Sequence, residues 1–219
     1  MKENILVVMC KYPEPGRVKT RLGREIGMSK AAEISKRLLD DLLESIRGLN
    51  CKIAIIDSQE STLRDFRKLY PDIDIIHVPG DELRGPNSVL WGTFQLFCNK
   101  YKKVVMINGD TVFLTKKIIL DGFSKLDNFD IVIGPCRNKG IYLIGMKKPV
   151  DLFSVLPVGP NPKYYDQTIR IIENMKLKFC IIESLYDFDV MKDIQEIDWN
   201  SEPTWIATKE YIRSNGLIS

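Results

Sequence analysis

The sequence predicts an α/β domain built on an open, mostly parallel sheet, and three observations carry that expectation. Short β-branched runs alternate with helical patterns almost from end to end. The runs are apolar without strict alternation, as expected of strands covered by helices on both faces. The chain has 219 residues, 44% hydrophobic, with a mean hydropathy of −0.12, enough for one domain (1–219) with a substantial core.

Taken in order, the strand candidates are Ile5–Cys10, Lys52–Asp57, Ile73–Val78, Val104–Ile107, Asp130–Gly134, Ile141–Met146 and Phe179–Glu183. Between the first two, Ile34, Leu38, Leu42 and Ile46 recur every four residues with Leu39 and Leu43 beside them. That stripe is the clearest helix, and Ser29 is its candidate N-cap. Further helices are expected at Thr62–Leu69, Ser88–Asn99, Lys116–Leu126, Tyr165–Met175 and Thr204–Ser214. Ile131–Gly134 and Ile141–Met146, joined by a short loop, read as an antiparallel insertion in the sheet.

Composition excludes several classes of function. With 32 basic against 29 acidic residues the formal charge is +3, too mild for a nucleic-acid surface. No apolar run approaches the ~18–20 residues that span a bilayer, and no signal peptide is expected. Five scattered cysteines lack metal-ligand or redox spacing, so they read as small buried thiols in a reducing cytoplasm. His77, the sole histidine, reads as structural. Trp199 and Trp205 are expected to close the core or to form an oligomer contact, a homodimer being the candidate assembly.

In such a sheet ligands bind outside the carboxyl ends of the strands, where strand order reverses. Four loops there are unusual. The first, after the first strand, runs Lys11-Tyr12-Pro13-Glu14-Pro15-Gly16-Arg17-Val18-Lys19-Thr20-Arg21-Leu22. Its prolines and Gly16 make a stiff turn. If it is extended, Arg17, Lys19 and Arg21 project from one side as a cationic comb suited to a polyphosphate. The alternative is a solvated basic loop. The motif is neither a Walker loop nor a G-x-G-x-x-G fingerprint.

The second loop, Asp81-Glu82-Leu83-Arg84-Gly85-Pro86-Asn87-Ser88-Val89, leads into a helix. Asn87 or Ser88 can cap that helix, and its free amides with Arg84 can hold a base, ribose or phosphate. The third, Asn108-Gly109-Asp110-Thr111, places a carboxylate at a strand end, where it can bind a hard cation, Mg2+ or Mn2+. A lone aspartate there is ordinarily a turn residue. The fourth, Asp187-Phe188-Asp189, supplies further carboxylates that can approach Asp110, although Asp189 also suits an N-cap.

Together these segments resemble the glycosyltransferase-A-like DUF2064 family, relatives of the 2-phospholactate guanylyltransferases. The likeness runs from the first loop through Asp110, Gly134-Pro135, Tyr142-Leu143-Ile144-Gly145 and Asp187-Phe188-Asp189, roughly residues 4–195. It implies a three-layer α/β/α nucleotide-diphosphosugar transferase fold. It also implies a nucleotide substrate, phosphates held by the basic loop with Lys19 as clamp, and a divalent metal on Asp110 with Asp187 or Asp189. Two departures stand out. Thr111-Val112 replaces a cysteine-proline, and the loop Cys136-Arg137-Asn138-Lys139-Gly140-Ile141-Tyr142 lacks the family's acidic residue and its first glycine.

The leading expectation is therefore a metal-dependent nucleotidylyltransferase, transferring a nucleoside monophosphate from a nucleoside triphosphate to a small acceptor with release of pyrophosphate. Lys19 and Asp110 are its candidate catalytic residues. Lys11, Gly16, Arg17, Lys19, Arg21, Arg84, Asn87 and Ser88 are the nucleotide-binding candidates, and Asp110, Asp187 and Asp189 the metal ligands. The alternatives are a glycosyltransferase using a nucleotide diphosphate sugar, and a nucleotide-binding module that has lost catalysis.

Overall fold

The computed structural model describes residues 3–57, 59–80, 85–156, 163–187, 189–201 and 204–218. Its central sheet is formed by β1 (Ile5–Met9), β2 (Lys52–Asp57), β3 (Asp74–His77), β4 (Val104–Asn108), β6 (Ile131–Pro135), β7 (Ile141–Met146) and β8 (Phe179–Ile181). A separate two-stranded ladder joins β5 (Thr111–Val112) to β9 (Tyr186–Asp187). The expected strands are present with ends shifted by a residue or two, whereas the ladder is too short for periodicity to signal.

Strand order in the sheet is β3-β2-β1-β4-β7-β6-β8. Only β7 runs against the rest, pairing antiparallel with β4 on one side and β6 on the other. The expected antiparallel insertion is therefore there. From β1 the chain adds β2 and then β3 outward, and returns to place β4 on the opposite side of β1. The strand order thus reverses between β1 and β4, so a crevice opens where their carboxyl ends diverge.

Two apolar cores lie on the two faces of the sheet, and β1 feeds both. Leu6 and Val8 pack with α2 (Met28–Ser45), α3 (Leu63–Leu69) and α5 (Lys116–Lys125). Ile5 and Val7 pack with α4 (Pro86–Cys98) and α6 (Tyr164–Asn174). These four residues are at most 1% exposed, which is why the strand reads as a continuous apolar run. The result is the three-layer α/β/α arrangement expected. In α2 the stripe Ile34, Leu38 and Leu42 is fully buried, and truncating Leu38 to alanine would cost ~2–5 kcal/mol. Trp199 and Trp205 lie inside the first core, with Trp199 Nε1 donating to Ile194 O at 2.9 Å.

Two local expectations need correction. Ser29 does not cap α2, because Gly27 occupies the N-cap and separates α2 from a preceding helix, α1 (Thr20–Ile26). Nor is the basic loop extended beyond Lys19. The backbone turns left-handed at Lys19 (φ 45°) and enters α1 at Thr20, so Arg17, Lys19 and Arg21 reach the same cleft from a turn and a helix rather than from alternate positions of an extended strand.

Candidate active site

A cleft of about 670 Å³ occupies the crevice between the ends of β1 and β4. Gly109 sets its floor. A Cβ at that position would lie 2.7 Å from Cys10 Cβ, so glycine is what lets the two strand ends approach, with Gly109 N donating to Met9 O at 2.9 Å. One wall comes from the basic loop, through Lys11, Arg17, Lys19 and Arg21. Asp110, Asp187 and Asp189 line the same cleft and meet two of those cations, Lys19 and Arg21, directly.

The loop is folded by its own sequence. Gly16 turns it at φ +81°, a conformation that side chains resist, and Arg17 Nε pairs with Glu14 at 3.0 Å. Arg17 also donates to Gln59 Oε1 at 3.2 Å, tying the loop to the end of β2. Gly16 is exposed and does not line the cleft. The left-handed turn at Lys19 sends its side chain inward, where only 3% of it is exposed.

That ammonium is the centre of the site. Lys19 Nζ lies 2.6 Å from Asp110 Oδ2, 3.6 Å from Asp189 Oδ1 and 3.9 Å from Asp187 Oδ1. Arg21 pairs with the other oxygen of Asp189. Burial works against the charge on Lys19, but the three carboxylates outweigh it and hold its pKa above the ordinary lysine value. Asp187 is pushed up to about 7, chiefly by burial and then by the charge of Asp110, despite the opposing pull of Lys19.

Different elements deliver the three acids. Asp110 follows β4, while β9 brings Asp187 across the β5–β9 ladder, directly opposite Thr111. Asp189 precedes α7 (Met191–Glu196) without capping it, since Val190 is at the N-cap. Instead the Asp193 carboxylate turns back to accept from the amides of Asp189 and Val190, at 2.7 and 3.0 Å. The Asp189 side chain therefore faces the cluster rather than its own helix.

One oxygen from each of Asp110, Asp187 and Asp189 lies within 4.8 Å of the others. Hard oxygen donors in that number suit a divalent magnesium or manganese ion. Asp187 Oδ1 is also buried with no hydrogen-bond partner, so the cluster retains coordinating capacity that the protein itself does not use. The residues fit such an ion.

The second loop lies differently from its sequence expectation. Gly85 precedes α4 and Pro86 opens it, so neither Asn87 nor Ser88 is the cap. Asn87 is buried and turned away, donating to Leu156 O at 3.0 Å and accepting from the Tyr164 hydroxyl at 3.3 Å. Ser88 Oγ donates to Gly85 O at 2.7 Å. Neither lines the cleft; from this segment Gly80, Gly85, Pro86 and Val89 do. Arg84 lies outside the described residues.

Sequence reasoning missed the β6–β7 loop as part of the neighbourhood. The Asn138 side chain acts on Asp187, and Arg137 stacks on the Tyr186 ring at 4.1 Å. The replacement of the family's acid at Asn138 was the available signal.

Comparisons with known proteins bear on this geometry. The DUF2064 model matches residues 88–159. Its description is an uncharacterized protein conserved in bacteria, and the matched stretch contains Asp110 and the β6–β7 loop but not the basic loop. The chain is 24% identical over 203 residues to a 2-phospho-L-lactate guanylyltransferase of Methanocaldococcus jannaschii, covering 91% of this chain and 84% of that one. The enzyme of the same name from Methanocaldococcus vulcanius is 23% identical over 215 residues, covering 97% and 92%. Among solved structures, a protein of Desulfovibrio desulfuricans G20 assigned as a nucleotide-diphospho-sugar transferase superposes with a TM-score of 0.83 at 24% identity, covering 98% and 99%. The inositol-1-phosphate CTP transferase of T. maritima gives 0.58 at 11% identity, with 97% of each chain covered. The fold is thus that of nucleotidyl and nucleotide-sugar transferases.

Proposed function

We propose that this protein is a metal-dependent nucleotidylyltransferase that moves a nucleoside monophosphate from a nucleoside triphosphate to a small anionic acceptor. The observation that carries the reading is one cleft at the strand-order reversal in which the cations of the basic loop meet three converging carboxylates. The relatives named guanylyltransferase favour GTP as the donor.

In the reaction an acceptor oxygen attacks the α-phosphorus. The bond from that phosphorus to the oxygen bridging to the β-phosphorus breaks, and pyrophosphate leaves with the bonding pair. Asp110, Asp187 and Asp189 would hold Mg2+ or Mn2+, which when bound polarises phosphate oxygens. Arg17 and Arg21, with side chains about half exposed at 48% and 53%, would exchange their partners, Glu14 and Gln59 for Arg17 and Asp189 for Arg21, for the triphosphate and offset charge on the leaving group. Lys19 holds the acids together and turns toward the phosphates once their charge is otherwise met. Gly80, Gly85, Pro86 and Val89 form a small-residue wall for the base and ribose.

Sugar transfer from a nucleotide diphosphate sugar is the second reading, favoured by the Desulfovibrio neighbour. Four cations at the cleft suit a triphosphate better than a diphosphate. Loss of catalysis is the third reading, motivated by Asn138 and Lys139 in the β6–β7 loop. The five free cysteines suit a reducing compartment, and the cytoplasm is the proposed location. Among the described residues no helix is long and apolar enough to cross a membrane. Pyrophosphate release from a panel of triphosphates, set against nucleoside diphosphate release from activated sugars, decides among the three. Turnover abolished by Asp110→Ala removes the inactive-module reading.

A further inference from the structure

Beneath the three carboxylates lies a second polar group that the proposed reaction does not use. Thr111 is fully buried, and its hydroxyl has no hydrogen-bond partner. Thr111 sits directly opposite Asp187 in the antiparallel β5–β9 ladder. Opposed residues in such a ladder present their side chains on the same face, with Cβ atoms ~4.5–5.5 Å apart. The two residues are therefore cross-strand neighbours, each with a buried oxygen that has no hydrogen-bond partner, one able to donate and the other to accept, and the two do not bond to each other.

Leaving either group bare in a buried position is unfavourable. Two such atoms on neighbouring residues mark a place for a third group that both donates and accepts, and a water molecule is the smallest that does. A water there would accept from Thr111, donate to Asp187 and keep a lone pair for a cation held by the acids. Thr111 does not line the cleft, so its hydroxyl acts from behind the carboxylates rather than on a substrate.

We propose that Thr111 is a positioning residue of the carboxylate cluster, its hydroxyl and Asp187 Oδ1 together holding one water ligand of the divalent ion. This rests on reading Asp110, Asp187 and Asp189 as an ion site. Groups that orient metal ligands from behind change metal affinity by ~10–100-fold when removed.

The test is calorimetric titration of Mn2+ alone into metal-free wild type, Thr111→Val and Thr111→Ser, with melting of each protein in chelator. The isosteric valine variant should bind Mn2+ ~10–100-fold more weakly. It should melt in chelator no lower than wild type, because its hydroxyl has no partner to lose. The serine variant should bind close to wild type. Equal Mn2+ affinity in wild type and Thr111→Val overturns the inference alone. A valine variant that melts below wild type in chelator, or fails to fold, also overturns it, since the hydroxyl would then serve the fold. Wild type that binds no Mn2+ overturns the ion-site reading, and this inference with it.

Discussion

Strand β4 has a buried lysine at each end, and the two could hardly be more different. At its amino end Lys103 is 6% exposed; its ammonium donates to Phe123 O at 2.7 Å and pairs with Asp127 at 2.8 Å. One cation meets one carboxylate, and that carboxylate is 60% exposed, so nothing charged is left over in the interior. At the carboxyl end Lys19 and Arg21 meet three carboxylates, and Asp187 Oδ1 has no hydrogen-bond partner. The balanced pair anchors α5 to the sheet. The cluster keeps more acids than cations, which is the arrangement the proposed ion site requires. Surplus charge at a strand-order reversal separates a site from a brace.

The largest effect that can break this comparison is at Asp110. Asp110→Asn should lower pyrophosphate release by at least ~10³-fold, the equivalent of several kcal/mol of charge stabilisation. Circular dichroism should show an intact fold. Retained turnover would reduce the cluster to a second brace. Lys19→Met comes next, with an expected loss of ~2.7–4 kcal/mol in transition-state stabilisation. In chelator the same variant should melt well below wild type, because Asp110 and Asp187 then lose their cation and only Arg21 remains, on Asp189, and Mg2+ should restore much of the difference. Rescue by Mg2+ is the part a merely structural lysine would not show.

Lys103→Met sharpens the contrast from the other end. It removes a buried donor from Phe123 O, an expected loss of ~1–3 kcal/mol of stability, read as a lower melting temperature. That loss should be the same with and without Mg2+, and turnover well below the melting point should not change.

The smallest effect concerns pH. In chelator Asp187 has a folded pKa of about 7, against ~3.9 for an unfolded aspartate. Between these values the folded protein binds the extra proton, so stability should fall as pH rises through that window and level off above it. Chemical denaturation in chelator at several pH values reads this directly. Asp187→Asn should remove the slope.

Much of this was legible in the sequence, for physical reasons. A strand buried on both faces must be apolar throughout, so the core strands announced themselves, and Lys52–Asp57 and Ile141–Met146 match to the residue. Asp110 stands out only in company, because a strand-end carboxylate becomes specific beside a basic loop and further acids. The seven-residue helix α1 did not, since Thr20–Ile26 holds two arginines, a glycine and only two large apolar residues. Missing α1 produced the false picture of an extended comb. The inward turn of Lys19 depends on acids 91 to 170 positions away in the chain, and no local pattern encodes it. For the same reason Asn87 looked like a cap, when its partners are Leu156 and Tyr164.

The central claim is that the cations and the carboxylates of the cleft act on one ligand, with the proposed ion joining the carboxylates to the phosphates. Calorimetric titration of GTP into wild type and Asp110→Asn, each in Mg2+ and in chelator, tests it without knowledge of the acceptor. Mg2+ should tighten GTP binding to wild type by at least ~10-fold, about 1.4 kcal/mol, and leave the variant unchanged. Binding to wild type that ignores Mg2+, or a Mg2+ effect that survives in Asp110→Asn, would contradict it.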